Sequence, residues 1–488
     1  MTTSEVRVRI APAPSGYLHV GTVRAAIFNW LFARNQGGKF LLRIEDTNLE
    51  LSEQKFVDII LDGLRWLGLE SDEEVVYQSQ RLESYKPHAA QLLSEGKAYR
   101  CFCAPDELNQ KRKAAEAAKQ DYRYDRTCRD LTEEQVMEKL AANLPFTIRL
   151  KLPSSGTAVV EDAVLGKIER DYTQMDDFII VKSDGNAIYN FAVVVDDHRM
   201  RISHVIRGND HVNNTFLQQQ LYEALGWEKP IFAHVPLVLR PDKAKLSKRK
   251  GDPGVTEYRD QGYLPEAMFN FLALLGWSPK DDREVISREE MIKIFSIEGI
   301  GVANAIFDPQ KLTWMNGEYL RQKTDHQIAE LVAPLLVEKG LTTKYYLETR
   351  WQWLMSVVRM LKERCRLLPE FAEIGYYFFV DEFEYDAKGV KKQFRKEGVA
   401  QLLEKLAARF EQVGDFTKES SEQALQALAE ELEINAAQLI HPTRLAVSGL
   451  TGGPPLYDML AAIGKERVVK RLRKAIEFIN NLGGSDGE

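Results

Sequence analysis

One stretch constrains the fold more than any other: RVRIAPAPSGYLHVGTVRAAIFNWLFARNQGG, Arg7 to Gly38. Val8 and Ile10 alternate as in a strand, a loop of Ala, Pro, Ser and Gly follows, and then come His19 and Gly21. Beyond them Val23, Ile27, Trp30 and Leu31 recur at helical spacing on one face, until Gly37–Gly38 stops the run. Strand, turn and helix in that order predict a doubly wound, nucleotide-binding sheet. Further strands are expected at Phe40–Ile44, Ile202–Arg207 and Ile231–Leu239, beside the first at Val6–Ile10. A single core rarely grows beyond ~250–300 residues, so a chain of 488 should hold several domains.

Two further shifts in pattern divide the chain. Between about Pro87 and Ile188 loops, strands and three of the four cysteines replace the α/β alternation, as an insertion would. After about Gly251 the chain turns helical, with 3.6-residue periodicity in SEQALQALAEELEI and KERVVKRLRKAIEFINNL. No apolar run reaches the ~18 residues of a membrane span, and no signal-peptide pattern stands at the start. Four cysteines make no disulfide framework in a chain this long, so a reducing cytoplasm is expected. The net charge of −7 excludes a uniformly basic coat but leaves room for local basic surfaces.

The chemistry gathers in two motifs. In His19-Val20-Gly21-Thr22 a histidine enters a helix N-terminus, where the free N–H groups and the helix dipole favour an anion. Taken alone, an ordinary turn with a surface histidine and Thr22 as N-cap is the plainer reading. In PDKAKLSKRKG (241–251), Lys245 and Lys248 flank Leu246-Ser247 on a Gly/Pro-bounded loop. Two such lysines can clamp charge developing on a phosphate under attack, although a solvated charge run is the plainer reading of either alone.

Together these motifs resemble the HIGH and KMSK signatures of class I aminoacyl-tRNA synthetases. RIAPAPSGYLHVGT, LLRIEDTN, YNFAVVVDDH, VIRGNDH, KLSKRKGD and HPTRLAVSGLTGGPPLYDML extend the resemblance, to the bacterial-type glutamyl-tRNA synthetases, over nearly the whole chain. The resemblance implies a Rossmann-type α/β catalytic domain in halves at 1–86 and 189–250, split by an inserted α+β acceptor-stem-binding domain at 87–188. A helical stem-contact region at 251–322 and all-α anticodon-binding domains at 323–375 and 376–488 complete the expected layout. It further implies glutamate–tRNA ligase activity: ATP and Mg²⁺ activate L-glutamate, and the acyl group passes to tRNA(Glu), with tRNA(Gln) an open second acceptor. A cytoplasmic monomer without membrane association is implied as well. Glutaminyl-tRNA synthetase and a small-molecule adenylate-forming nucleotidyltransferase are the alternatives.

Under that resemblance His19, Lys245 and Lys248 are the expected catalytic groups, and with Gly21 and Thr22 they bind ATP. Arg9, Tyr189 and Arg207 would take the glutamate side chain, Glu45 the amino group, and Ala11 would line the same pocket. The charges agree, since two guanidiniums can pair with one carboxylate where an amide would lose the charge assistance. Two positions depart from the family pattern: Ala13 stands where many relatives have Ser, and Val193 where some have Asn.

Cys101 and Cys103, with Cys128 further on, could place three thiolates around a tetrahedral Zn²⁺. Some glutamyl enzymes carry such a site, with Tyr124 as a fourth ligand and Asp130 as its competitor; three reduced thiols are the alternative. Cys365 stands alone and reads as a small packed hydrophobe. Two basic runs, 388–396 with five basic residues and 465–474 with six, are candidate tRNA-phosphate surfaces or solvated helix faces. Arg366 and Arg444 are the candidate anticodon readers.

Overall fold

A computed structural model describes residues 5–47, 53–246 and 253–484. Ser247 and Lys248 lie outside the described residues. The chain divides into two compact units, Met1–Asp260 with Pro265–Leu312, and Gln261–Leu264 with Thr313–Glu488.

In the first unit, β1 (Arg7–Ile10), β2 (Lys39–Ile44) and β3 (Val76–Tyr77) form a parallel sheet, with Val8 opposite Phe40 and Arg43 opposite Val76. Every residue of β1 is buried, Arg7 and Arg9 included, as expected for a strand covered on both faces. Within 87–188, β4 (Ala98–Cys101), β5 (Thr147–Leu150) and β8 (Ile179–Val181) make an antiparallel sheet, while β6 (Thr157–Asp162) and β7 (Gly166–Asp171) form a hairpin. The hairpin extends a different sheet: β6 lies parallel to β10 (Ile231–Val235), which pairs in turn with β9 (His204–Gly208). Ser203 ties β9 to β1, its N–H donating to the Arg7 carbonyl at 2.9 Å and its hydroxyl accepting the Arg7 N–H at 2.8 Å. The strand expected over Ile231–Leu239 is interrupted at Pro236, which has no N–H to give a ladder.

The helix Val20–Asn35 departs from the one-faced pattern. It is buried around most of its circumference, Arg24 and Asn29 included, between β1, β9 and the helices Pro265–Ala273 and Arg288–Ile294. Trp30 meets Phe269 edge-on at 5.7 Å. The Asn29 amide donates to the Ala25 carbonyl at 2.7 Å and across to the Ile206 carbonyl at 2.9 Å, so its buried polarity fastens the helix to β9.

The second unit is helical. Both 3.6-periodic stretches are helices, Lys418–Glu431 and Lys465–Gly484, and both pack on Val399–Gln412. Thr417 caps Lys418–Glu431 reciprocally with Ser420. Cys365 is fully buried, and burial pushes its thiol up to about 12. Among the described residues no helix is long and apolar enough to cross a membrane.

Candidate functional site

The ends of β1 and β9 and the start of the helix Val20–Asn35 enclose a cavity of about 420 Å³, the position where doubly wound sheets take ligands. Arg9, Ala11, His19, Gly21, Thr22, Glu45, Tyr189, Arg207 and Lys245 all line it. Residues from five separate stretches of sequence thus line one cavity.

A buried charge network organises that wall. Arg9 grips Asp197 with two hydrogen bonds, Nε–Oδ1 at 3.1 Å and Nη2–Oδ2 at 3.2 Å. Arg43, wholly buried behind it, donates to Asp197 Oδ1 at 2.5 Å and to Glu45 Oε1 at 3.1 Å. Burial works against the Asp197 carboxylate, but Arg43 and Arg9 outweigh it and hold the group below the usual range. Glu45 is the reverse case: burial prevails over Arg43 and raises its carboxyl, and a bound ammonium would favour its ionised form. The Glu45 N–H donates to the Pro12 carbonyl at 3.0 Å, joining β2 to the turn after β1.

Arg207 faces the cavity with unfinished hydrogen bonding. Its Nη2 donates to the Thr215 hydroxyl at 2.6 Å and its Nε points to His234 Nε2 at 3.3 Å, while Nη1 is buried with no partner. Burial lowers this guanidinium to about 10, which leaves it charged at neutral pH. A buried cationic N–H without an acceptor is costly, so a ligand anion is the natural completion. Beside it Tyr189 stands 37% exposed, its hydroxyl 3.4 Å from His211 Nδ1. Burial, with Arg207 nearby, depresses His211 to about 4, so the ring adds no charge to this wall at neutral pH. Ala13 is exposed on the entering turn, and Val193 is packed at 1% exposure in the core.

The helix entry differs from the expected turn in its cap. His19, not Thr22, is the N-cap: its Nδ1 accepts from the Gly21 N–H at 3.0 Å, while its carbonyl accepts from Val23 N–H. With Nδ1 an acceptor, the proton of the neutral ring sits on Nε2. A Cβ at Gly21 would come within 3.3 Å of that Nδ1, so glycine keeps the capping ring in place. Lys245 reaches the rim of the cavity and pairs with Asp210 at 2.9 Å.

Sequence reasoning missed Arg43, Asp197, Asp210 and His211. Asp197 carried a signal: two adjacent acids at the end of the run FAVVVDD sit in strongly apolar company, where a carboxylate must find a buried partner. The partner, Arg9, is 188 positions away, and spacing cannot expose such a pair.

A second cluster forms at the end of β4. The sulfurs of Cys101, Cys103 and Cys128 lie within 4.8 Å of one another, Cys103 and Cys128 at 3.6 Å. The Tyr124 hydroxyl stands 3.2 Å from Cys101 Sγ and 3.6 Å from Cys103 Sγ, under the Arg149 guanidinium at 3.8 Å from the ring centre. Asp130 is exposed and is not one of the clustered ligands.

The two basic runs part company. In 465–474 the cations are engaged: Arg471 is buried against the Val447, Tyr377 and Val380 carbonyls, Arg467 binds Asp381, Arg473 pairs with Glu411 and Lys474 with Glu382. In 388–396 the side chains of Lys388, Lys391 and Lys392 are exposed and, among the described residues, have no acidic partner. Arg366 is exposed, whereas Arg444 is half-buried and donates to the Pro454 carbonyl at 2.6 Å.

Residues 5–314 match the family tRNA synthetases class I (E and Q), catalytic domain, and residues 327–476 match an anticodon binding domain. The chain is 47% identical to glutamate–tRNA ligase 2 of Thermoanaerobacter pseudethanolicus, over 98% of this chain and 99% of that one. It is 45% identical to the glutamate–tRNA ligase of Moorella thermoacetica, again over 98% and 99%. A solved glutamate tRNA ligase from Elizabethkingia meningosepticum, in complex with its amino acid, superposes with a TM-score of 0.90 at 34% identity, covering 98% of this chain and all of that one.

Proposed function

The chain belongs to the class I tRNA synthetases for glutamate and glutamine, and we infer that within this family it is a glutamate–tRNA ligase, activating L-glutamate with ATP and passing it to the 3′ end of tRNA. The unfinished guanidinium of Arg207 carries the choice of amino acid. Its buried Nη1 calls for an anionic acceptor, which the side-chain carboxylate of glutamate supplies and the amide of glutamine offers only weakly. Arg9 would share that carboxylate while Asp197 holds it in place, Tyr189 would close the pocket, and Glu45 would take the α-ammonium.

In the reaction the α-carboxylate of glutamate attacks the α-phosphate of ATP, expelling pyrophosphate and leaving glutamyl-adenylate. The terminal adenosine hydroxyl of tRNA then attacks the acyl carbon and releases AMP. No protein nucleophile takes part; the chain contributes position and charge. His19 Nε2–H, held outward by the Gly21 cap, donates to a phosphate oxygen, and the N–H groups around Gly21 and Thr22 favour the same anion. Lys245 would leave Asp210 for the departing phosphates, a task the resemblance also gives to Lys248. Among the described residues no group of carboxylates forms a cage for Mg²⁺, so the ion would enter on the ATP phosphates, whose charge it offsets. The exposed lysines of 388–396 suit tRNA phosphates better than 465–474 does. A cytoplasmic monomer completes this reading.

Charging assays with glutamate test it. Purified tRNA(Glu) is expected to be acylated. Acylation of tRNA(Gln) as well would mark a dual acceptor range, and failure with both would overturn the reading.

The cysteine cluster fits zinc. Thiolates bound at ~2.3 Å in a tetrahedron stand ~3.8 Å apart, close to the 3.6 Å between Cys103 and Cys128. Cys101, Cys103 and Cys128 would hold the ion, with the Tyr124 hydroxyl nearest the fourth position, and its contribution would be structural. Metal analysis of the purified protein should find about one zinc per chain, released in Cys101→Ser; a metal-free protein would leave three packed thiols.

A further inference from the structure

Arg207 is itself held by a buried relay outside the cavity. His234 on β10 is fully buried, and its Nδ1 lies 2.6 Å from Asp162 Oδ2. The other oxygen of Asp162, Oδ1, accepts three backbone N–H groups: Val164 at 3.0 Å, Leu165 at 2.9 Å and His234 itself at 3.2 Å. These fix which carboxylate oxygen faces the ring. An ionised Asp162 only accepts, so Nδ1 carries the proton and Nε2 is left as a bare acceptor. That lone pair meets Arg207 Nε–H at 3.3 Å and the Thr215 hydroxyl at 2.9 Å, and Thr215 accepts Arg207 Nη2 at 2.6 Å. Burial also holds the His234 ring below its ordinary range, which keeps Nε2 unprotonated.

We propose that Asp162 and His234 are positioning residues for amino-acid selection, fixing the imidazole tautomer that holds the Arg207 guanidinium, with its unpaired Nη1, at the cavity wall. This rests on the reading of Arg207 as the glutamate-binding cation. With the other tautomer, Nε2–H would face the Arg207 Nε–H, donor against donor, and the guanidinium would keep only its Nη2 contacts with Thr215 and the His211 carbonyl.

Asp162→Asn isolates the effect. The three backbone donors keep the asparagine oxygen, so its NH₂ faces Nδ1, turns that nitrogen into an acceptor and moves the ring proton to Nε2. In tRNA-supported ATP–pyrophosphate exchange this variant should raise the KM for glutamate about 10- to 100-fold, the range for one hydrogen bond to a charged group. The KM for ATP should stay unchanged, and ¹⁵N NMR should show the His234 proton moved from Nδ1 to Nε2. His234→Gln, whose carbonyl can replace the acceptor, should bind glutamate better than His234→Leu; this pair also decides the matter if Asp162→Asn does not fold. An unchanged glutamate KM in Asp162→Asn, a tautomer that does not switch, or equal losses in the two His234 variants overturns the proposal. Arg207→Ala separates the two levels. If it leaves the glutamate KM untouched, the reading of the cavity falls and the proposal with it; if it raises the KM while Asp162→Asn does not, only the relay is wrong.

Discussion

Asp197→Ala is expected to lose about 3–5 kcal/mol of stability, the range for removing one partner from a buried ion cluster. The reason is arithmetic in charge. Asp197 is the shared anion of Arg9 and Arg43, both buried, and alanine would leave two buried guanidiniums without their common partner, Glu45 accepting from Arg43 alone. Asp197→Asn should recover part of the loss, since its carbonyl can still accept from one arginine. Urea denaturation of the two variants beside the parent measures this. Where the variant still folds, glutamate binding should fail as well, because Arg9 would no longer be held at the cavity wall. A melting curve for Asp197→Ala that overlays the parent would contradict the central place given to this carboxylate.

The second large effect concerns His19, where capping and catalysis can be pulled apart. His19→Ala removes both the acceptor for the Gly21 N–H and the outward Nε2–H. His19→Asn keeps a side-chain oxygen for the cap but has no donor where Nε2 stood. Both variants should slow adenylate formation about 10²- to 10³-fold, the size of losing one preorganised donor to developing charge. Only His19→Ala should also lose about 1 kcal/mol of stability, the worth of an N-cap. Single-turnover pyrophosphate release and thermal melting read the two effects independently. Comparable activity in His19→Asn and the parent would confine His19 to capping.

Much of this site was legible in the sequence because its parts are local. A strand followed by a Pro/Gly bend and a helix start is a pattern of neighbours. The cysteines likewise sit within 28 residues of one another, and the structure brings their sulfurs together. What sequence could not expose was how distant groups hold one another. Arg9 and Arg207 read as two free cations for one carboxylate, yet Arg9 is already committed to Asp197, while Arg207 keeps a buried N–H with no partner. The helix Val20–Asn35 read as one-faced because Ala25, Ala26 and Ala33 weigh little in a periodicity count. In the fold they are the close-packed sides of a helix covered by other helices. The run 465–474 shows the same limit: its cations look like an RNA surface until the carbonyls around Arg471 and the acids beside Arg467, Arg473 and Lys474 come into view.

Glutamate-dependent ATP–pyrophosphate exchange, run with and without tRNA, decides whether the cavity selects glutamate. Exchange is expected with glutamate and far less with glutamine at equal concentration, and the family resemblance implies that it depends on tRNA. Exchange supported equally by glutamine, or none with glutamate when tRNA is present, would contradict it.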